Sequence, residues 1–351
     1  PPVPMYPGSK ILGWGRKHEE YYGGIEGIFL PVINLPVLKQ ITMLMSVFGC
    51  VAVWCIKNRR IHNKCVLVYG QNVFVAIPQI LVCRMFGIQT CNIVTDPIRY
   101  VSNYDGLPKW KKALIQIQWM MMDKIKRNYS SFVLLTEPMV EEYITNGKPY
   151  IILEGIGDVS IFEPSEKCKK AEPPVIMYAG ALTEGFGIKT LIHAIPKMHN
   201  QAQFWFFGAN GDCSKELAEA EKNNPLVHCW GKVSWKHLLR HMQEASLLIS
   251  VKPVGEFHTR YQFPSKIMEY MASGTATAST RVEGIPEEYF NFIFPIEQDD
   301  AEGIAEALDG ILSLDESERL EKGKEAYQFV AEKKNCYVQA GRLLKLLEDL
   351  F

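Results

Sequence analysis

The sequence predicts an α/β protein made of two doubly wound, Rossmann-like domains. Three observations carry this. Short apolar runs alternate with longer helical segments over residues 66–136, and the same rhythm restarts over 175–280. That is the pattern of parallel strands covered on both faces by helices. The length of 351 residues suits two cores of roughly 150 residues each. Apolar residues make up 47% and charged residues 22%, which excludes disordered, collagenous and coiled-coil chains.

In chain order, the first 30 residues are rich in Pro, Gly and aromatics and show no clear period. Ile41–Ile56 is a mostly apolar run ending in Lys57, Arg59 and Arg60. It falls short of the ~20 residues that span a bilayer, so a buried helix is expected, with an interfacial segment as the alternative. Residues 66–70 read as a strand, 74–86 as a helix, and 90–96 as a buried strand stopped by Pro97. A polar loop, a helix over Lys109–Arg127 and a strand over 131–136 follow. Gly155 and Gly157 mark the joint. Beyond it, strands are expected at 175–180, 203–208, 227–231, 247–251 and 275–280, with helices at 188–198, 217–222 and 235–245. The last stretch, Cys336–Phe351, is amphipathic, with Val338, Ala340, Leu343, Leu344, Leu347 and Leu350 on its apolar side. The expected domains are 1–155, joined by the returning helix 337–351, and 156–336.

A net charge of −1 argues against bulk nucleic-acid binding. It hides an asymmetry: residues 1–155 carry net +7 and 156–351 net −8, so one domain is expected to face a negative partner. Nine cysteines show no C-x-x-C spacing and read as free thiols of a reducing cytosol. Cys50, Cys55, Cys65, Cys83 and Cys91 sit in apolar runs and read as small core residues. No secretory signal is read at the head of the sequence, which opens on Pro1. His237 and His241 stand four apart without a third metal ligand and read as exposed helix residues.

The most informative segment is FPSKIMEYMASG, 263–274. Pro264 suits a helix start and Gly274 a stop. Ile267, Met268, Met271 and Ala272 form its buried side, and Ser265, Lys266 and Glu269 share the other. Free N–H groups and the positive dipole end make a helix start an anion site. A lysine in the first turn opposes the dipole unless an anion sits there. Glu269, one turn on, can accept hydrogen bonds from two vicinal hydroxyls such as a ribose presents. The plain alternative is a surface Lys266–Glu269 pair worth about 0.2–0.5 kcal/mol. A second feature favours the site: AGALTEGFGI (179–188) joins a strand to a helix through Gly180, Gly185 and Gly187. Glycines there let backbone approach a phosphate at the mouth of a parallel sheet.

With VTDP at 94–97, FVLLTEPM at 132–139, EGIGD at 154–158 and GIPEEY at 284–289, these segments resemble, in order, the retaining glycosyltransferases of GT-B fold, family 4 ("group 1"). The resemblance covers about 60–351 and is strongest to the exopolysaccharide and capsule branch. It implies two Rossmann-like domains facing a cleft, with the C-terminal helix returning to the first. It implies that Glu269 holds the nucleoside ribose, that Lys266 with Ser265 meets phosphate, and that Gly180, Gly185 and Gly187 face the diphosphate and sugar. There are departures. Tyr261 stands where the wider family has a sugar-contacting Glu, with Glu256 nearby as a substitute. Ala181 and Phe186 replace the family's basic loop residues, leaving Lys266 helped by Arg260.

The implied activity moves a sugar from a nucleotide-diphosphate donor, such as a UDP-sugar, to a lipid-linked or polysaccharide acceptor with retention. Such a site needs positioning and electrostatics more than a nucleophile. Asp96, at the end of a predicted strand, is the candidate base should the outcome be inverting, and caps the turn before Pro97 otherwise. Arg99 stands beside it as an acceptor contact. No metal and no cofactor are expected, since no Asp-x-Asp motif occurs. Lys109–Arg127 surrounds apolar residues with basic ones, as a helix lying on anionic lipid would; packing on the sheet with solvated basic ends is its alternative. The expected place is cytoplasmic, on the inner face of the membrane. Two rivals stand: a GT-B binding protein with weakened catalysis, and an epimerase or phosphorylase on the same scaffold.

Overall fold

The computed structural model describes residues 11–15, 17–21, 25–95, 108–145, 147–162 and 169–351. They divide into two compact units. One holds the described residues up to Leu134 with Glu141–Ile151 and Leu343–Phe351; the other holds Leu135–Val140 and Ile152–Arg342.

The first unit opens on short antiparallel pairs. Strand β1 (Gly13–Trp14) pairs β4 (Val32–Ile33), and β2 (Lys17–Tyr21) pairs β3 (Ile25–Phe29). The aperiodic head of the sequence thus holds strands that its composition does not announce. A four-stranded sheet follows in the order β5 (Cys65–Tyr69), β6 (Gln89–Ile93), β7 (Ser131–Leu134), β8 (Tyr150–Ile152). The pairs β5–β6 and β6–β7 are parallel. Helix α2 (Val73–Met85) is started by Asn72, whose side chain accepts from the Phe74 N–H. Cys55, Cys83 and Cys91 are buried as expected, while Cys50 and Cys65 are half-buried.

Helix α1 corrects the expectation of a buried helix. It runs Leu38–Lys57, 20 residues, and buries only Val47 and Cys55. One side packs on α2 around Cys55, Val82 and Cys83. Leu38, Ile41, Met45, Phe48 and Trp54 face outward. Among the described residues it is the one helix long and apolar enough to cross a membrane. Helix α3 (Lys109–Lys126) buries no residue fully, and Trp110, Leu114, Ile117 and Met120 make an exposed apolar stripe. The packed-on-sheet alternative therefore describes only its half-buried side. A short helix α4 (Met139–Tyr143) follows β7.

The second unit is a six-stranded parallel sheet. Its strands are β9 (Val175–Ala179), β10 (Gln203–Phe207), β11 (Val227–Gly231), β12 (Leu247–Ser250), β13 (Thr277–Thr280) and β14 (Phe294–Ile296). The spatial order is β11-β10-β9-β12-β13-β14, three-two-one-four-five-six, with the winding direction reversing between β9 and β12. Every residue of β9 is buried, because both faces are covered. Tyr178, Phe204, Phe206 and Ile249 pack with α5 (Ile188–Ala194), α6 (Ser214–Asn223) and α10 (Ala301–Ser313). Met177, Phe207 and Leu248 pack with α7 (Trp235–Glu244), α9 (Ser265–Ala272) and α11 (Glu316–Lys333). A short helix, α8 (Phe257–Arg260), precedes α9.

Helix α12 (Cys336–Glu348) buries Gln339 and Leu346, with Leu343 and Leu347 half-buried, while Val338, Ala340 and Leu344 are exposed. The buried stripe is thus rotated from the expected one, because Gln339 turns inward to donate to the Gly155 carbonyl at 2.8 Å. His237 is exposed, but His241 corrects its reading as an exposed residue. It is half-buried, stacked on Phe207 with ring centroids 5.2 Å apart and 2.8 Å from Glu244.

Candidate active site

In a sheet of this order, ligands bind outside the carboxyl ends of the strands where the winding direction reverses. Here that point lies between the loop after β9, which carries Gly180, Gly185 and Gly187, and the segment after β12, which begins Val251–Lys252–Pro253.

Two glycines shape the loop. Gly187 has φ +74°, and a Cβ there would lie 1.7 Å from the Val251 carbonyl oxygen. Only glycine lets the loop press onto the end of β12. Gly180 has φ +152°, and a Cβ would lie 2.0 Å from Lys266 Nζ. Gly185 faces open space. The turn between them is closed by Gly187 N–H donating to the Glu184 carbonyl at 2.8 Å.

Helix α9 is pinned to the same strand end by Tyr270. Its hydroxyl accepts from Ala179 N–H at 2.9 Å and donates to the Ala179 carbonyl at 3.2 Å. Lys266 is one turn earlier, so it faces the same way. Its ammonium donates to the Tyr178 hydroxyl at 2.6 Å and lies 3.9 Å from the centre of that ring. The expectation that Lys266 shares the outward side with Ser265 is therefore corrected. Ser265 is exposed, while Lys266 turns inward against β9. Pro264 is the cap residue rather than the first helical one, and no side chain caps this helix.

The Lys266 pKa is lowered to about 7, first by burial and then by Lys252, with Glu269 opposing both. Burial raises the Glu269 carboxyl, against the pull of Lys266. Burial also pushes the Tyr178 phenol up, which keeps it neutral.

The other expected residues fall as follows. Arg260 lies 2.9 Å from Glu283 and 5.8 Å from the Tyr261 ring centre. Tyr261 is buried, so the position where the resemblance expects a sugar-contacting carboxylate holds a core aromatic. Glu256 is exposed at the start of α8. Asp96 and Arg99 lie outside the described residues. The structure thus brings together Gly180, Gly187, Lys266 and Glu269, and adds a residue the sequence reading missed. Lys252 is buried, donates to Gln262 Oε1 at 2.9 Å and lies 5.3 Å from the Phe186 ring centre; Lys266 lies 5.2 Å from the same centre. Its signal in the sequence is a lysine directly after the apolar run LLISV, at the carboxyl end of a strand.

Residues 173–313 match the family described as glycosyl transferases group 1. No curated protein matches the sequence. Among solved structures, sucrose-phosphate synthase from Thermosynechococcus elongatus is 17% identical with a TM-score of 0.67, over 95% of this chain and 85% of that one. HepE from Anabaena, in complex with UDP and glucose, is 13% identical with a TM-score of 0.61, over 86% and 82%. The α,α-trehalose 6-phosphate synthase from Burkholderia multivorans is 11% identical with a TM-score of 0.62, over 89% and 77%. These likenesses show the fold: two Rossmann-like domains of the GT-B type.

Proposed function

We propose that this GT-B protein is a group 1 glycosyltransferase that uses a nucleoside diphosphate sugar, with UDP-sugars the first to test. The observation that carries the reading is the ammonium of the half-buried Lys266, turned inward against Tyr178 and Gly180 at the reversal point of the sheet. Glu269 offsets its charge in part, and a pyrophosphate at the uncapped start of α9 would add the counter-charge that a desolvated cation calls for. The family match over 173–313 supports the same assignment, as do the structures of HepE in complex with UDP and with UDP-glucose.

In this proposal the donor lies on the second unit. Glu269 accepts hydrogen bonds from the ribose hydroxyls, and Gly180 and Gly187 let the loop backbone approach the phosphates. As the bond from the anomeric carbon to the diphosphate breaks, negative charge grows on the leaving oxygen. Lys266 and the helix start stabilise that charge while the sugar becomes oxocarbenium-like. The acceptor hydroxyl then bonds to the anomeric carbon on the face the diphosphate leaves, its proton passing to the departing phosphate oxygen, so retention needs no separate base. Asp96 and Arg99 are proposed for the acceptor, and Glu256 for the contact to the transferred sugar that Tyr261 does not make.

The acceptor is proposed to be lipid-linked and the place the cytosolic face of a membrane. The apolar faces of α1 and α3, both in the basic first half, support an anionic bilayer as the partner. With α1 held on α2 along one side, the proposal lays its other, apolar side on the bilayer surface. Co-sedimentation with vesicles containing anionic lipid is expected for the parent and reduced for Met45→Glu/Phe48→Glu. Equal binding by both would refute this part.

The test of the function is product analysis with a panel of nucleoside diphosphate sugars and saccharide acceptors. Transfer of the sugar supports the assignment. Donor binding without turnover, an isomerised sugar, or phosphorolysis refutes it.

A further inference from the structure

We infer that Lys252 is the second cation of the donor site and holds the diphosphate together with Lys266. This rests on the donor reading above and names the residue that completes it.

A nucleoside diphosphate sugar carries two negative phosphates, and the loop that faces them brings no cation. From Tyr178 to Gly187 there is neither Lys nor Arg. Lys189, just beyond, lies 3.7 Å from Glu184 and 3.8 Å from Glu216, on the helical side of the loop. Arg260 is turned to Glu283. Lys252 is differently placed. It follows β12 as Gly180 follows β9, so the two stand on opposite lips of the reversal point where this sheet order binds ligands.

Its backbone is fixed on three sides. The Lys252 carbonyl accepts from Thr280 Oγ1 at 2.6 Å. Gly187 packs on the preceding carbonyl, that of Val251. The Val254 N–H two residues on donates to Asp299 Oδ2 at 2.7 Å. The side chain is directed by Gln262, whose own backbone is packed against Gly284 so closely that a Cβ there would lie 2.0 Å from the Gln262 oxygen.

Two ammonium groups are thereby brought to one aromatic ring, that of Phe186, at nearly equal distances. Lys252 makes protonation of Lys266 harder, which adds to the effect of burial on the Lys266 pKa. A fold that sought only stability would keep these charges apart. Holding both, preorganised, at a ligand crevice is the electrostatics of a polyanion clamp. Phe186 gives the cations an apolar backing that strengthens their field.

The experiment measures binding of UDP, uridine and inorganic pyrophosphate by calorimetry to the parent, Lys252→Met and Lys252→Arg. Thermal melts check folding. Expected is a tenfold or greater loss of UDP and pyrophosphate affinity in Lys252→Met, unchanged uridine affinity, and substantial recovery in Lys252→Arg. UDP affinity of Lys252→Met within twofold of the parent overturns the inference, and so does an equal loss for uridine, which would mark a structural strut. Pyrophosphate separates the two readings. A parent that binds pyrophosphate through Lys252 but no nucleoside diphosphate keeps the clamp and sinks the donor assignment. A parent that binds neither sinks both.

Discussion

Raising the pH from 7 to 8.5 should loosen donor binding, and Lys266 sets by how much. In the unliganded protein its pKa is lowered from 10.5 to about 7, first by burial and then by Lys252, with Glu269 opposing. A bound diphosphate restores the charged form, so binding takes up a proton wherever the free lysine has lost it. If the bound lysine returns to its ordinary value, affinity falls about fivefold from pH 7 to 8 and about sixteenfold by pH 8.5. At pH 8 about 0.9 proton is taken up per ligand. Calorimetry of a UDP-sugar in two buffers of different ionisation enthalpy reads both quantities, since its diphosphate does not titrate in this window. Lys266→Met should bind weakly with no pH slope, while Glu269→Gln should keep the slope. Flat affinity in the parent, with no proton uptake, would refute the placement of the anion on Lys266. For the unliganded fold the sign is opposite. The unfolded chain holds this proton up to its ordinary 10.5 and the folded chain sheds it near 7, so this group adds stability as pH rises across that interval.

Other expectations follow from single contacts. Gly180→Ala puts a methyl on Lys266 Nζ, the mobile end of a side chain, and strains the backbone at φ +152°; it should cost tenfold or more in UDP affinity and lower Tm. Gly187→Ala meets the Val251 backbone instead, so lost folding is expected, seen as a Tm drop far exceeding that of Gly180→Ala. Glu269→Gln removes a charged acceptor worth about 1.5–3 kcal/mol; UDP affinity should fall at least tenfold while pyrophosphate affinity holds, and equal loss of both would reject the ribose role. Lys334, buried, donates to Glu154 and to Glu288 at 2.7 Å. Lys334→Met leaves the Glu154 carboxylate buried and should cost about 3–5 kcal/mol in denaturant unfolding, much of it recovered in Lys334→Met/Glu154→Gln.

The elements that hydrophobic rhythm announces were legible. Strands β5, β6, β7 and β9 to β13 and helices α2, α3, α7 and α9 fall within a few residues of expectation, because short strand runs alternating with helices mark a parallel sheet even where a strand is polar, as the fully buried β13 (TAST) is, or partly exposed, as β5 is. Strand β14 and helices α10 and α11 were not anticipated. A start signal for α11 stands in the sequence as the capping box of Asp315 and Glu318. The head strands lack period because they are short and form separate two-stranded pairs.

What the sequence determined by itself is the kind of sheet, the glycine loop and the Pro264 helix start, for these are local: each depends on residue type and spacing along a few positions. Tertiary structure alone decided which cations meet. Lys252 and Lys266 are 14 positions apart, and only the strand order that sets β12 beside β9 brings both to Phe186. Exposure of α1 was decided the same way. Composition says how apolar a helix is, whereas its neighbours determine how much of that surface is covered, and here α2 covers one side.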